Sequence, residues 1–279
     1  MIAASFSFAC GSILTKMLGN SFFGEGVHPL QIAHARFFFA FILLFFLYPF
    51  LKPSLKSSNI RLHIFRSLFG VLGISIWFTA ILYIPASDAT AINFLNPIFA
   101  MIFAIFILDE KVGWVRWSAA IISLVGGLLL IRPSINLNIN PIALLCLCGA
   151  LIMGLEIICI KILSGRETVF KILFLNNFFA FLIATLWIPF FFKIPSFFET
   201  LALIAIAICF LTGQFFFIHS MKRAEASFVM PFFYTTLIFV ILLDLIVFNF
   251  FPDIISFIGA FLIIFGALVI AFREKKISP

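Results

Sequence analysis

The sequence contains few charged residues: Asp, Glu, Lys and Arg together make up 10% of its 279 residues. Soluble globular proteins contain about a quarter charged residues, so this shortage excludes an ordinary soluble domain. Apolar residues make up 64% of the chain, and its mean hydropathy is +1.27. Apolar runs of about 20 residues, the length that a helix needs to cross a bilayer, recur along the chain. These features predict an integral membrane protein whose surroundings are the lipid bilayer.

Sequence signatures of soluble enzymes are also missing, since the chain has no G-x-S-x-G, H-E-x-x-H, phosphate-binding loop or dinucleotide fingerprint. The five cysteines lie inside apolar runs, which argues against a disulfide framework or a metal site. The alternating strand pattern of a membrane barrel is absent, so the spans are expected to be helices. The net charge of +7 comes from residues between the runs and does not indicate nucleic-acid binding. We therefore expect neither enzymatic activity nor a cofactor.

Ten helical spans with short connections are predicted. The first apolar run is short before Lys16, so it begins at the membrane edge or lacks preceding residues. The predicted spans are 2–19, 29–50, 64–83, 88–108, 114–131, 141–162, 169–192, 200–219, 226–249 and 254–272.

The distribution of Lys and Arg predicts the orientation of the chain. Fourteen of these residues fall on one side of the ten spans, and three, Lys16, Arg132 and Lys193, fall on the other. Basic residues accumulate in cytoplasmic loops. Both termini are therefore predicted to be cytoplasmic, in a multi-pass protein of the cell (inner) membrane.

The second half of the chain repeats the first at a constant offset of 140 residues. The register needs no gap, and its Gly, Pro and Ala-Ser matches are the most informative in a chain so rich in Phe, Leu and Ile. The matched positions include Ala86-Ser87 with Ala226-Ser227, Pro49-Phe50 with Pro189-Phe190, Gly73 with Gly213, and Gly126 with Gly266. The sequence thus predicts two repeats, residues 1–139 and 140–279.

Each predicted repeat contains five spans, an odd number, so the second repeat enters the membrane upside down relative to the first. The predicted fold class is an all-α membrane protein of ten transmembrane helices arranged as two inverted five-helix repeats. Many secondary transporters have this architecture, with the substrate near the membrane midplane between the repeats.

Three stretches resemble a known family. They are the run from Tyr83 to Pro133 with the sequence DATAINFLNPIF, its counterpart AEASFVMPFFYTTL at Ala224–Leu237, and HARFFFAF around Arg36. In these stretches the chain is similar to the ten-span drug/metabolite transporters with two EamA domains, and most similar to the bacterial S-adenosylmethionine uptake carriers. The resemblance implies a carrier of small organic metabolites, either an exporter or an importer.

Charges inside spans cost roughly 2.5–3.5 kcal/mol and often line a substrate pathway. Arg36 is predicted to contact substrate or to neutralise Glu156 or Asp244, or else to bind backbone carbonyls. Glu156 is predicted to bind a cationic group or exchange a proton, or else to pair with Lys161.

Lys16, which matches Glu156 in the repeat, and Asp244 are candidates for coupling or charge balance. Lys16 has the alternative of extending to the headgroups at its end of the first span. Asp244 has the alternative of lying at the interface of the membrane.

Two proline-interrupted spans are the second pointer to a binding site. Asn93 and Asn96 precede Pro97 in the fourth span, and Tyr234 follows Pro231 in the ninth. Amides that hold helices together are the alternative for the two asparagines. Gln214 is a further polar candidate, in the middle of the eighth span.

The sequence therefore predicts a secondary transporter of a small polar metabolite that bears an amino-acid or amine group, S-adenosylmethionine being one candidate. The alternative is a membrane pore, or a structural or enzymatic membrane subunit without carrier activity. Oligomeric state stays open, a homodimer included. Asp109 and Glu110 are expected to be solvated in the turn between the fourth and fifth spans.

Overall fold

The computed structural model describes residues 1–19, 22–51, 59–83, 92–131, 141–248 and 254–277, and every regular element within these ranges is helical. The α-helices are α1 Ile2–Gly19, α2 Pro29–Leu51, α3 Ile60–Tyr83, α4 Asn96–Leu108, α5 Trp114–Ile131, α6 Pro141–Ser164, α7 Val169–Thr185, α8 Phe197–Arg223, the single turn α9 Ala226–Val229, α10 Thr235–Phe248 and α11 Ile254–Ile277.

Ten apolar helical stretches lie along the described chain, in agreement with the ten predicted spans. Six are long and apolar enough to cross a membrane by length and composition, and the other four have 10–17 residues. The six are Ile2–Gly19, Pro29–Leu51, Ile60–Trp77, Pro141–Ser164, Phe197–Arg223 and Ala226–Val247.

Local sequence signals explain several helix ends. Helix α7 ends at Thr185 instead of continuing to the predicted residue 192, because Pro189 lies in a short 3-10 turn, Ile188–Phe190. Helix α8 begins with a capping box, in which Ser196 and Glu199 exchange side-chain and backbone hydrogen bonds. Helix α3 begins at Ile60, four residues before the predicted start, which lengthens its polar first turns.

Equivalent helices of the two repeats pack directly against each other. Phe41 of α2 stacks on Phe181 of α7, its counterpart 140 residues later, with ring centroids 6.3 Å apart and planes 6° apart. On either side of this pair, Phe38 contacts Phe181 at 5.3 Å and Phe41 contacts Phe178 at 5.4 Å. These flanking contacts are images of each other when the two repeats are exchanged. A two-fold axis therefore passes close to Phe41 and Phe181.

The same helix pair shows that the repeats are inverted. Near the start of α2, His34 hydrogen-bonds Thr185 at the end of α7, and near the end of α2, Tyr48 contacts Phe174. Because the residue number falls in α7 as it rises in α2, the two equivalent helices run antiparallel. This confirms the predicted architecture of two inverted five-helix repeats. The predicted boundary between residues 139 and 140 falls outside the described residues and stays a prediction.

The packing of the remaining helices follows the same exchange. The pair α3 and α6 is matched by α8 and α1, the pair α4 and α6 by α10 and α1, and the pair α2 and α8 by α7 and α3. The pair α5 and α11 maps onto itself. Helices α3, α6, α7, α2 and α8 thus surround the region in which the charged residues described below lie.

Both predicted proline interruptions are present. The fourth span breaks at Phe94 and Leu95, after which α4 begins at Asn96 with Pro97 in its first turn. The ninth span consists of α9, a 3-10 segment Met230–Tyr234 that contains Pro231, and α10. Pro has no N–H donor and clashes with the preceding turn, which is why regular α-helix stops at these places.

Candidate functional site

A buried ion pair lies between the two repeats. Arg66 of α3 is fully buried, and its Nε lies 3.9 Å from Oε1 of Glu156 in α6. The Nη1 of Arg66 also donates a 3.0 Å hydrogen bond to the carbonyl oxygen of Ile172 in α7. Gly70 leaves room for the carboxylate, since a Cβ at that position would lie 3.0 Å from Glu156 Oε1. Arg66 is thus held by the protein on two sides.

Arg36 of α2 supplies the second positive charge near Glu156. Its guanidinium carbon lies 4.3 Å from the centroid of the Phe210 ring in α8 and 4.9 Å from that of Phe37. Contacts of this kind between Arg and aromatic rings are electrostatically favourable. Sequence reasoning predicted Arg36 and Glu156 as cavity charges, and the structure places both in one cluster with Arg66.

Aromatic rings continue from Arg36 toward the interrupted ninth span. Phe8 of α1 contacts Phe210, Phe217 and Phe233, with ring centroids 6.0, 6.5 and 6.0 Å apart. Phe233 in turn lies 6.1 Å from Phe94. One side of the central region is therefore charged, through α3 and α6, and the other side is aromatic, through α1 and α8.

The repeat relationship makes this contrast explicit. In the second repeat Arg66 is replaced by Ile206 and Gly70 by Phe210, whereas Glu156 of the second repeat matches Lys16 of the first. Lys16 is exposed in the last turn of α1 and is not part of the cluster. The two halves have the same backbone but present different chemistry to the space between them.

The two interrupted spans meet on the two-fold axis. The hydroxyl of Tyr234, which is fully buried, donates a 2.9 Å hydrogen bond to the carbonyl oxygen of Phe94, 140 residues earlier, and the two rings stack. Nearby, the buried side-chain oxygens of Asn93 and Asn96 accept no hydrogen bond from the described residues. Buried polar atoms normally have partners, and these two amide oxygens have none in the part of the chain that the structure describes.

The other predicted residues lie apart from the cluster or outside the described side chains. Gln214 is half-buried on α8, one turn after Phe210. The side chain of Asp244 lies outside the described part of the chain. Lys161 does not pair with Glu156, because its Nζ donates to the carbonyl oxygens of Met221 and Ala224 at the end of α8, at 2.8 and 2.5 Å.

Several polar residues of the site were missed by sequence reasoning. Arg66, near the start of the predicted third span, was counted only among the fourteen basic residues on one side of the membrane, although His63, Arg66, Ser67 and Gly70 form a polar and small stripe with helical spacing. In the structure His63 pairs with Glu167 at 2.7 Å, and the Ser67 hydroxyl donates to Asn176. That stripe was the available signal.

The expectation of a solvated Glu110 was wrong. Its carboxylate is 9% exposed and accepts hydrogen bonds from the backbone N–H groups of Ala226 and Ser227, at 2.8 and 3.0 Å, and from the Ser227 hydroxyl at 2.6 Å. Arg116 pairs with Glu225 and donates to the Ser227 hydroxyl. This set of contacts, the Glu110–Ser227 latch, joins the α4–α5 turn of the first repeat to the start of α9 in the second.

Comparison with known proteins identifies the family to which this arrangement belongs. The profile of the EamA-like transporter family matches twice, at residues 1–132 and 140–272. The S-adenosylmethionine uptake transporter of Rickettsia bellii is 28% identical over 286 residues, covering 98% of this chain and 96% of the relative. The riboflavin transporter of Vibrio cholerae is 25% identical, covering 100% and 93%.

The pseudopaline exporter CntI of Pseudomonas aeruginosa is 24% identical, covering 99% of this chain and 95% of the relative. One protein crystal structure superimposes with a TM-score of 0.78 at 18% identity, covering 99% of both chains, which shows a common fold. The two matches of the family profile span nearly the whole sequence, and the chain belongs to the EamA-like transporter family of the drug/metabolite transporter superfamily.

Proposed function

We propose that the protein carries a small polar metabolite with an amino-acid or amine group across the membrane by alternating access between its inverted repeats. S-adenosylmethionine is the first candidate substrate, because relatives of nearly the same length are named for its uptake. The relatives also include a riboflavin transporter and an exporter, so the proposal covers either direction of transport.

The observation that carries this proposal is the cluster of Arg36, Arg66 and Glu156 between the repeats. Charges buried among apolar helices are costly and are retained where a substrate or ion passes. The neighbouring rings of Phe210 and Phe8 offer a surface on which a flat heterocycle or an organic cation can stack. S-adenosylmethionine combines all of these groups, since it has an adenine, a sulfonium, an ammonium and a carboxylate.

The proposal is tested by uptake of labelled S-adenosylmethionine into proteoliposomes. We expect Arg36→Ala and Glu156→Gln each to lower the initial rate at least about tenfold, because the first removes a charge proposed to meet the substrate and the second leaves two buried arginines without a counter-ion. Glu25→Gln is the matched control, since the Glu25 side chain is 84% exposed in its pair with Lys193. Rates of both site variants equal to that of the control would rule out this site.

A thermal-shift measurement on the purified protein tests the identity of the substrate independently of the proposed binding site. A ligand at one hundred times its Kd stabilises the folded state by about 2.7 kcal/mol. S-adenosylmethionine is expected to raise the Tm, and riboflavin and free amino acids serve as the comparison set. A shift with riboflavin alone would replace the proposed substrate while leaving the proposed transport activity in place.

A further inference from the structure

We infer that the two buried arginines have different roles: Arg66 is the internal counter-ion of Glu156, whereas Arg36 binds a carboxylate of the transported molecule. The inference rests on the proposed function and sharpens it, because it assigns the substrate an anionic group and names the residue that receives it. It also makes Glu156 a partner of the protein itself rather than of the substrate.

Arg66 has two partners within the protein. Its guanidinium is fully buried, donates to the Ile172 carbonyl oxygen through Nη1 and faces Glu156 at 3.9 Å, while Nε and Nη2 have no hydrogen-bond partner among the described residues. An Arg in this position neutralises the carboxylate of Glu156. A buried carboxylate left without such a counter-ion would be strongly unfavourable.

Arg36 also lies near Glu156, but it has no polar contact of the kind that Arg66 makes. It makes no hydrogen bond or ion pair with another described residue, and its contacts are the faces of Phe210 and Phe37. A guanidinium that packs against a ring through its face keeps the N–H donors along its edge free. Those donors match the two oxygens of a carboxylate in geometry and charge.

Asn176 is the repeat counterpart of Arg36, and its side chain has a hydrogen-bond partner within the protein. Asn176 accepts a 3.2 Å hydrogen bond on its side-chain oxygen from the hydroxyl of Ser67. The residue that matches Ser67 next to Arg36 is Ala207, which has no polar side-chain atom. Among the described residues, the fold supplies a hydrogen-bond partner to Asn176 and none to Arg36.

The charges of the cluster lead to the same conclusion. Among the side chains that the structure describes, the cluster holds two arginines and one glutamate, which leaves one positive charge uncompensated in a region of low polarity. Buried charges require a partner. Because Arg66 and Glu156 neutralise each other, the uncompensated charge is that of Arg36. A carboxylate of the substrate balances this charge.

The test compares transport of S-adenosylmethionine with that of its decarboxylated derivative. Five variants are compared with the wild type: Arg36→Met, Arg66→Met, Glu156→Gln, and the two double variants that combine Glu156→Gln with either arginine substitution. The quantity measured is the ratio of Vmax/KM for the two compounds. We expect the wild type to prefer the carboxylate form by about tenfold to a hundredfold, the range for hydrogen bonds to charged groups.

Arg36→Met is expected to remove this preference whether residue 156 is Glu or Gln. Arg66→Met alone is expected to weaken it, because Glu156 then draws Arg36 away from the substrate. Adding Glu156→Gln to Arg66→Met is expected to restore it. Replacing both members of a buried ion pair by neutral groups is often tolerated, so this double variant should also fold.

The decisive comparison is therefore between the two double variants. Retained preference with Arg66→Met and lost preference with Arg36→Met support the inference, and the reverse pattern or equal behaviour overturns it. A wild-type protein that carries both compounds equally also overturns it while leaving the transport activity established. A wild-type protein that carries neither compound refutes the proposed substrate instead.

Discussion

At the level of single residues, the carboxylate of Glu110 lies in a short turn and binds a segment that is more than one hundred residues away in the sequence. Its two oxygens accept three hydrogen bonds from Ala226 and Ser227, across the interface between the repeats. Helix starts have unpaired N–H groups, and a carboxylate satisfies them well because it carries negative charge. The adjacent Asp109 is exposed and ends α4 in a left-handed conformation.

Glu110→Gln is expected to lower the free energy of unfolding by about 1–3 kcal/mol, because a neutral amide accepts these hydrogen bonds less strongly. Thermal unfolding in detergent measures the effect. Asp109→Asn, which removes the same charge one residue earlier at an exposed position, is the control and should change stability by less than about 0.5 kcal/mol. Equal effects of the two substitutions would contradict the assigned role of Glu110.

The sequence predicted those site residues whose charge stands deep inside an apolar run, because the cost of burying such a charge is evident from the sequence alone. Arg36 and Glu156 were predicted because a charge deep inside an apolar run is costly to bury and is expected to have a functional role. Arg66 stood near the beginning of its predicted span, where a basic residue is ordinary, and only the packing of α3 against α6 and α7 shows that it is buried. The partner of Glu110 lies more than one hundred residues away, and no local pattern identified it.

At the level of helices, α5 and α11, which are equivalent elements of the two repeats, approach each other closely. A Cβ at Gly126 would lie 2.6 Å from the carbonyl oxygen of Gly259, and one at Gly266 would clash with Ser123 and Ala119 of α5. Small residues that let helices approach closely drive association in membranes, where no hydrophobic effect acts between the helices.

Gly126→Ala is expected to destabilise the protein by about 1–3 kcal/mol through overpacking, although Ala favours the helix itself. Gly19→Ala is the control, because a Cβ there meets nothing within 4 Å. The two variants are compared by thermal unfolding in the same detergent. A Gly126→Ala variant as stable as the control would show that the two helices can separate at no cost.

At the level of the whole molecule, inversion of the repeats follows from the antiparallel packing of α2 and α7, whereas the direction in which the molecule faces rests on its loop charges. Basic residues around Lys161, Arg166 and Lys171 lie on the side that the charge rule assigns to the cytoplasm. Helix positions and the repeat were predictable from apolar runs and the 140-residue register. The division of the ninth span into α9, a 3-10 segment and α10 was predicted only as an interruption near Pro231.

A reporter that is active only outside the cytoplasm is expected to be inactive when fused to the C-terminus, since both termini are predicted to be cytoplasmic. The same reporter inserted next to Lys193, between α7 and α8, should be active. Activity at the C-terminus together with inactivity at Lys193 would mean that the molecule is inserted in the opposite orientation.

The two aromatic pairs on the symmetry axis, Phe41 with Phe181 and Phe94 with Tyr234, have a consequence for movement. In a carrier of inverted repeats, the inward-open and outward-open states arise by exchanging the conformations of the two halves. Exchanging the two repeats maps each pair onto itself, so we expect both ring contacts to be present in the inward-open and in the outward-open state. The Glu110–Ser227 latch does not map onto itself, because the residues related to Glu110 and Ser227 by the repeat are Phe250 and Ser87. Under the proposed alternating access, the ring pairs are therefore expected to persist through the cycle.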